Sequence, residues 1–119
     1  MSTANGMGRR TVEVKTADYT VVADTDNGKT FTTEGAAGAV TFALPAATVG
    51  QWYKFVVKAT QELRIDPNGT ETIALPSDGA MQAAGAYLTA NANGEFVEIE
   101  CVKAGEWQSV GYNGTWTAV

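Results

Sequence analysis

Apolar residues in this chain return at every second position, in short runs spread along almost its whole length. Val12 and Val14, Tyr19 and Val21, Val40, Phe42 and Leu44, Tyr53, Phe55 and Val57, Leu63 and Ile65, Ile73 and Leu75, and Val97, Ile99 and Cys101 each propose one inward face, with Phe31 between them. Side chains of an extended strand alternate sides, so this period of two specifies strands rather than helices. Between them lie Thr, Lys, Glu and Arg, as in Gln61-Glu62-Leu63-Arg64-Ile65-Asp66, a pattern suited to strands wet on one side.

Turn signals divide the runs. Asn27-Gly28, Asn68-Gly69, Asn93-Gly94 and Asn113-Gly114 each stand between strand candidates. Asn and Gly accept the positive φ that a tight primed turn requires, so these dipeptides predict hairpins. Pro45, Pro67 and Pro76 fall at run ends, where a missing N–H costs no ladder bond. Short strands with such turns predict an all-β fold: an antiparallel β-sandwich, a jelly roll or a small barrel. A chain of 119 residues suits one core. The expected organisation is an extended N-terminal arm over residues 1–10 and a single β domain over 11–119, with loops in the Ala/Gly-rich stretches 35–39 and 79–86.

Chemistry is constrained by what the chain lacks. It has no histidine and a single cysteine, which removes a Ser/His/Asp triad, a Cys/His dyad, an internal disulfide and any His-built or Cys-built zinc site. Cys101 shares its strand face with Val97 and Ile99, so a buried, inert thiol is expected. Residues 23–28 followed by Glu34 approach a calcium loop. With Gly28 in the sixth place, however, Ala23 and Thr25 occupy the first and third ligand positions and supply no carboxylate. No enzyme activity, cofactor or metal is expected. The formal net charge is −5, which argues against nucleic acid as a partner. No apolar run reaches bilayer length, so no membrane partner is expected either. The first residues lack the apolar core of a secretory signal, which predicts synthesis in the cytoplasm.

Arg9 and Arg10 put two of the eight basic residues in the arm and leave the body strongly acidic. The arm is thus a candidate docking segment for an acidic neighbour. Aromatic residues are the other candidates for recognition: Trp52, Trp107, Trp116 and Tyr112, serving either a subunit interface or a stacking platform for sugar. If Tyr53, Phe55 and Val57 face inward, Trp52 points outward beside Lys54.

Several segments together carry a resemblance: Asp18-Tyr19-Thr20-Val21, Gly28-Lys29-Thr30-Phe31, Gly38-Ala39-Val40-Thr41-Phe42-Ala43-Leu44-Pro45, Tyr53-Lys54-Phe55-Val56-Val57, and Glu106-Trp107 through Gly114-Thr115-Trp116. They resemble small β domains of tailed-bacteriophage virions, in which a Thr-rich strand ends at Leu-Pro-Ala, a Tyr-x-Phe strand follows, and a Gly-x-Trp strand leads to Gly-Thr-Trp. A chain running from Met1 to Val119 reads as a stand-alone protein, which is most similar to head decoration (cement) proteins. The resemblance implies a protein on the outer capsid surface, commonly a homotrimer, that binds the major capsid protein and stabilises the shell by bridging coat subunits. Within it, Arg9, Arg10, Val12 and Val14 are the expected capsid contacts. The alternative is a tail-fibre, tail-tip or carbohydrate-binding module of the virion.

Overall fold

The computed structural model describes residues 9–119, and within them the alternating runs become strands of two sheets. The first sheet holds, in spatial order, β1 (Val12–Val14), β3 (Thr30–Thr32), β5 (Trp52–Val56), β9 (Phe96–Lys103), β10 (Glu106–Asn113) and β7 (Thr72–Ile73). The second holds β11 (Thr117–Ala118), β8 (Leu88–Ala90), β6 (Leu63–Asp66), β4 (Val40–Ala43) and β2 (Tyr19–Thr20). One short helix, α1 (Ala23–Asp26), lies between β2 and β3. From β1 to β8 the chain changes sheet after every strand.

Inward residues of both sheets form one core. Phe31 and Phe55 of the first sheet stack with ring centroids 5.7 Å apart, and Phe42 of the second meets them at 5.3 and 5.1 Å. Tyr53, Leu63, Ile65, Leu88, Val97, Ile99, Cys101 and Trp107 complete a fully buried set. Each large apolar side chain of this kind contributes roughly 1.5–3 kcal/mol by leaving water. The period-two reading of β4, β5, β6 and β9 is therefore reproduced residue by residue.

The antiparallel expectation is corrected. Five of the nine strand pairings are parallel: β1 with β3, β3 with β5, β2 with β4, β4 with β6, and β7 with β10. The physical reason lies in the turns. Gly28, Gly69, Gly94 and Gly114 all adopt positive φ, as the Asn-Gly signal requires, yet every one of those turns carries the chain from one sheet to the other. Two successive reversals restore the original direction, so a strand returning to its sheet runs parallel to the one it left. The single tight hairpin among the described residues joins β9 and β10 through Ala104 and Gly105, with Gly105 at φ +85°.

Val12 and Val14 are a second correction. Glu13, not they, shares the register row of the core residue Phe31, and the two valines stand 58% and 54% exposed. At this sheet edge the pairing to β3 decides which face points in, and the inward position holds a carboxylate. The arm expected over residues 1–10 lies outside the described residues except for Arg9 and Arg10, which are exposed and lead into β1.

Candidate functional site

Residues from β5, β9, the Asn27-Gly28 turn and the segment before β1 meet on the outer face of the first sheet. Trp52 opens β5 at the position opposite in phase to buried Tyr53, and so faces outward, half-buried. The Asn27-Gly28 turn grips it: the Trp52 N–H donates to Asn27 Oδ1 at 2.9 Å, and the Gly28 N–H donates to the Trp52 carbonyl at 2.8 Å. A glycine is required there, because a Cβ would stand 3.2 Å from the indole and φ is +82°. The Arg10 guanidinium lies 4.7 Å from the centre of the Trp52 ring and pairs with Glu98 of β9 at 3.0 Å. The segment before β1 is thus tied to β5 and β9 by a cation–π contact and a charge-assisted hydrogen bond.

Beside this contact the same face carries apolar groups. Val14, Thr32, Val56 and Phe96 are neighbours in register across β1, β3, β5 and β9, and the Lys54 ammonium covers the Phe96 ring at 4.6 Å. Among the described residues β1 is one of the two edge strands of this sheet, β7 being the other. Its outer backbone groups and the exposed Val12 and Val14 face solvent together.

The other aromatic candidates are not brought here. Trp107 is fully buried, 5.7 Å from Tyr53 between ring centres. Trp116 is also in the core, its indole N–H shared between the carbonyls of Phe96 and Asn113 at 3.1 and 3.2 Å. Neither presents a ring to a partner. Tyr112 is exposed, near the end of β10 beyond the two residues that β7 flanks.

A charged network escaped the sequence reading. Asp26, 1% exposed, accepts from the Tyr19 hydroxyl at 2.7 Å, the Val22 N–H at 2.9 Å and the Lys29 ammonium at 2.9 Å. Lys29 reaches on to Glu13 at 2.5 Å, and Lys15 flanks Glu13 at 3.3 Å while lying over the Tyr19 ring. Burial pushes the Asp26 carboxyl upward, but the Lys29, Val22 and Tyr19 donors outweigh it and hold the group below its ordinary value. Hydrogen bonds from Lys29 and Lys15 likewise lower Glu13. With both carboxylates engaged by partners, the arrangement ties β1, β2 and α1 to β3 rather than offering a reactive group. The available signal was the Asp26 to Lys29 spacing across a turn.

Among the described residues no group of three or more His, Cys, Asp or Glu could hold a metal ion, and no helix is long and apolar enough to cross a membrane. Cys101 is buried, its thiol donating to the Lys103 carbonyl at 3.2 Å, and burial pushes its pKa up. A cleft of about 370 Å³ opens elsewhere, between Glu62, Thr89, Asn91, Glu95, Thr115 and Thr117. Both Glu95 oxygens are already taken by the N–H groups of Ala92 and Thr115. None of the candidate aromatics lines it. No known protein family matches the chain, and no curated protein matches it.

Proposed function

We propose that this protein is a capsid decoration protein of a tailed phage, acting as an adhesive rather than as a catalyst. The observation that carries the reading is the edge strand β1, whose Val12 and Val14 are exposed and which is preceded by the exposed Arg9 and by Arg10, itself exposed and lying over the Trp52 ring. An apolar strand edge flanked by cations fits an acidic, strand-bearing neighbour such as a coat subunit. The proposed mechanism is bridging: each copy adds interfaces that must break before coat subunits separate, and binding to the assembled shell stabilises it by mass action. A two-sheet β-sandwich and a homotrimeric assembly on the outer capsid surface complete the proposal.

The motifs behind the resemblance occupy framework positions. Phe42 and Leu44, Tyr53 and Phe55, Trp107 and Trp116 are all buried, so they support a shared scaffold and leave the docking role to β1 and the residues before it. A sugar platform has less support. Trp107 and Trp116 are in the core, and Arg10 occupies a face of Trp52 on which a pyranose would stack.

The test is the copy number of the protein in purified virions, by quantitative mass spectrometry against the major coat protein. About one copy per coat subunit is the expected result. A handful per particle would move the protein to the tail, and absence would overturn the virion reading. Deleting residues 2–10 should weaken capsid binding while the far-ultraviolet circular dichroism of the β domain is retained.

A further inference from the structure

Strand β1 is joined to the rest of the molecule unlike any other strand in the first sheet. None of its side chains enters the core: Val12 and Val14 face solvent and Glu13 is only half-buried. Its attachment consists of backbone bonds to β3, including Thr30 N–H to the Thr11 carbonyl at 2.9 Å and Lys15 N–H to the Thr32 carbonyl at 2.8 Å, and of charged contacts. Those contacts are Glu13 with Lys29, and Arg10 with Glu98 and the Trp52 ring. Partly exposed ion pairs contribute little each and are weakened by salt. Immediately after β1, residues 15–18 form a short link, and its far end is fixed where Asp18 Oδ1 accepts from the Thr41 N–H at 2.8 Å.

From this we infer that β1 exchanges between copies of this chain, leaving its own β3 edge and pairing with the β3 edge of a second copy. Residues 16–18 of that link, beyond Lys15, are the hinge. A β3 edge vacated by its strand presents the Thr30 N–H, the Thr32 carbonyl, Lys29 and, on β9, Glu98. The complement carried by β1 and the residues beside it is Thr11, Lys15, Glu13 and Arg10, and a second copy brings the same four. Exchange recreates every contact of the closed form, so little energy separates the two, and a high local density of copies shifts the balance toward exchange. Because the core of β3, β5 and β9 needs no β1 side chain, the body keeps its packing while the strand is away. The inference stands apart from the virion reading, since it concerns only two copies of the same chain.

The experiment mixes a Val12→Cys chain with a Thr30→Cys chain. Val12 and Thr30 are register partners across β1 and β3, and the native Cys101 is buried, so a bond between these two chains reports β1 of one on β3 of the other. The mixture is held at about 1 M salt, where charges are screened beyond roughly 3 Å, returned to low salt and oxidised. The expected result is a disulfide joining the two different chains, identified by mass, with a yield that rises severalfold when Glu13→Gln is added. The doubly substituted chain, which closes within itself when β1 stays home, is the reference. Closure of that chain entirely within itself, with no bond between the mixed chains above the level of either chain alone, would overturn the inference.

Discussion

The Lys29 ammonium stands 2.9 Å from the buried carboxylate of Asp26, and the pair closes the turn that brings the chain from α1 into β3. Asp26 is 1% exposed, so removing its carboxyl leaves the Tyr19 hydroxyl and the Val22 N–H without their acceptor and Lys29 with Glu13 alone. Asp26→Ala is expected to lower the free energy of unfolding by about 2–3 kcal/mol, the cost of leaving those groups without their hydrogen-bond partner. Urea denaturation at neutral pH measures it. The folded-state pKa of Asp26 is depressed, so its contribution is present above the unfolded value, about 4, and is lost as pH falls through the folded one. The wild type should therefore lose more stability than the variant on acidification, and equal slopes would remove the carboxylate from the account.

Trp52 and Trp107 stand on opposite sides of the first sheet, one half-buried on its outer face and one in the core. Trp107 is buried beside Tyr53, and Trp107→Ala should cost about 3–5 kcal/mol or abolish folding, as large-to-small core changes do. Trp52→Ala removes a half-buried outer ring and the Arg10 contact, at about 1 kcal/mol. Thermal unfolding of both variants orders them. Under the proposed decoration role the order reverses for any Trp107 variant that still folds: Trp52→Ala should weaken binding to purified capsids and a Trp107→Phe chain should retain it.

Which features were legible in the sequence follows from what each signal encodes. Alternation reports burial, and the inward faces of β4, β5, β6 and β9 came out at the right residues because a one-residue slip would expose a whole row. Asn-Gly reports a backbone reversal with positive φ and nothing about the partner, so four correct turns gave the wrong pairing. At Val12 and Val14 the alternation was present but inverted, because an edge strand takes its facing from the register with its one neighbour. Trp107 and Trp116 were misassigned to the surface candidates for the opposite reason: residue type suggested a platform, while Trp107 alternates with Glu106 and Gln108 and lies in phase with the core. The Asp26 network depends on Glu13 and Tyr19 reaching a common point from different sheets, and no local pattern carries that.

Gly114 tests how tightly the last crossover is built. Its φ is +89°, and a Cβ there would collide with the Glu95 side chain. That side chain is not free to yield, since its two oxygens hold the N–H groups of Ala92 and Thr115 at 3.0 and 2.7 Å. Gly114→Ala therefore combines backbone strain with the loss of those bonds and should destabilise by about 1–3 kcal/mol. Gly38, with no neighbour within 4 Å of its would-be Cβ and no positive φ, is the control. Gly38→Ala should lie within about 0.5 kcal/mol of the wild type in the same denaturation assay.

Two tyrosines should resist ionisation for different reasons. The Tyr19 hydroxyl donates to the Asp26 carboxylate, and that hydrogen bond, with burial behind it, pushes its pKa from 10.0 to about 12. Tyr53 is raised to about 12 chiefly by burial, its ring being fully enclosed. Both groups bind their proton more tightly folded than unfolded, so their contribution to stability is complete below pH about 10 and is lost as pH rises toward about 12. Ultraviolet phenolate absorbance followed through an alkaline titration should show a late component. Tyr19→Phe removes one equivalent of it. Asp26→Asn moves Tyr19 back toward its ordinary value and leaves Tyr53 late, because burial is the larger cause at Tyr53 and the Asp26 charge only the smaller one. If Asp26→Asn shifted neither residue, the Tyr19 to Asp26 bond would not be what holds the Tyr19 proton.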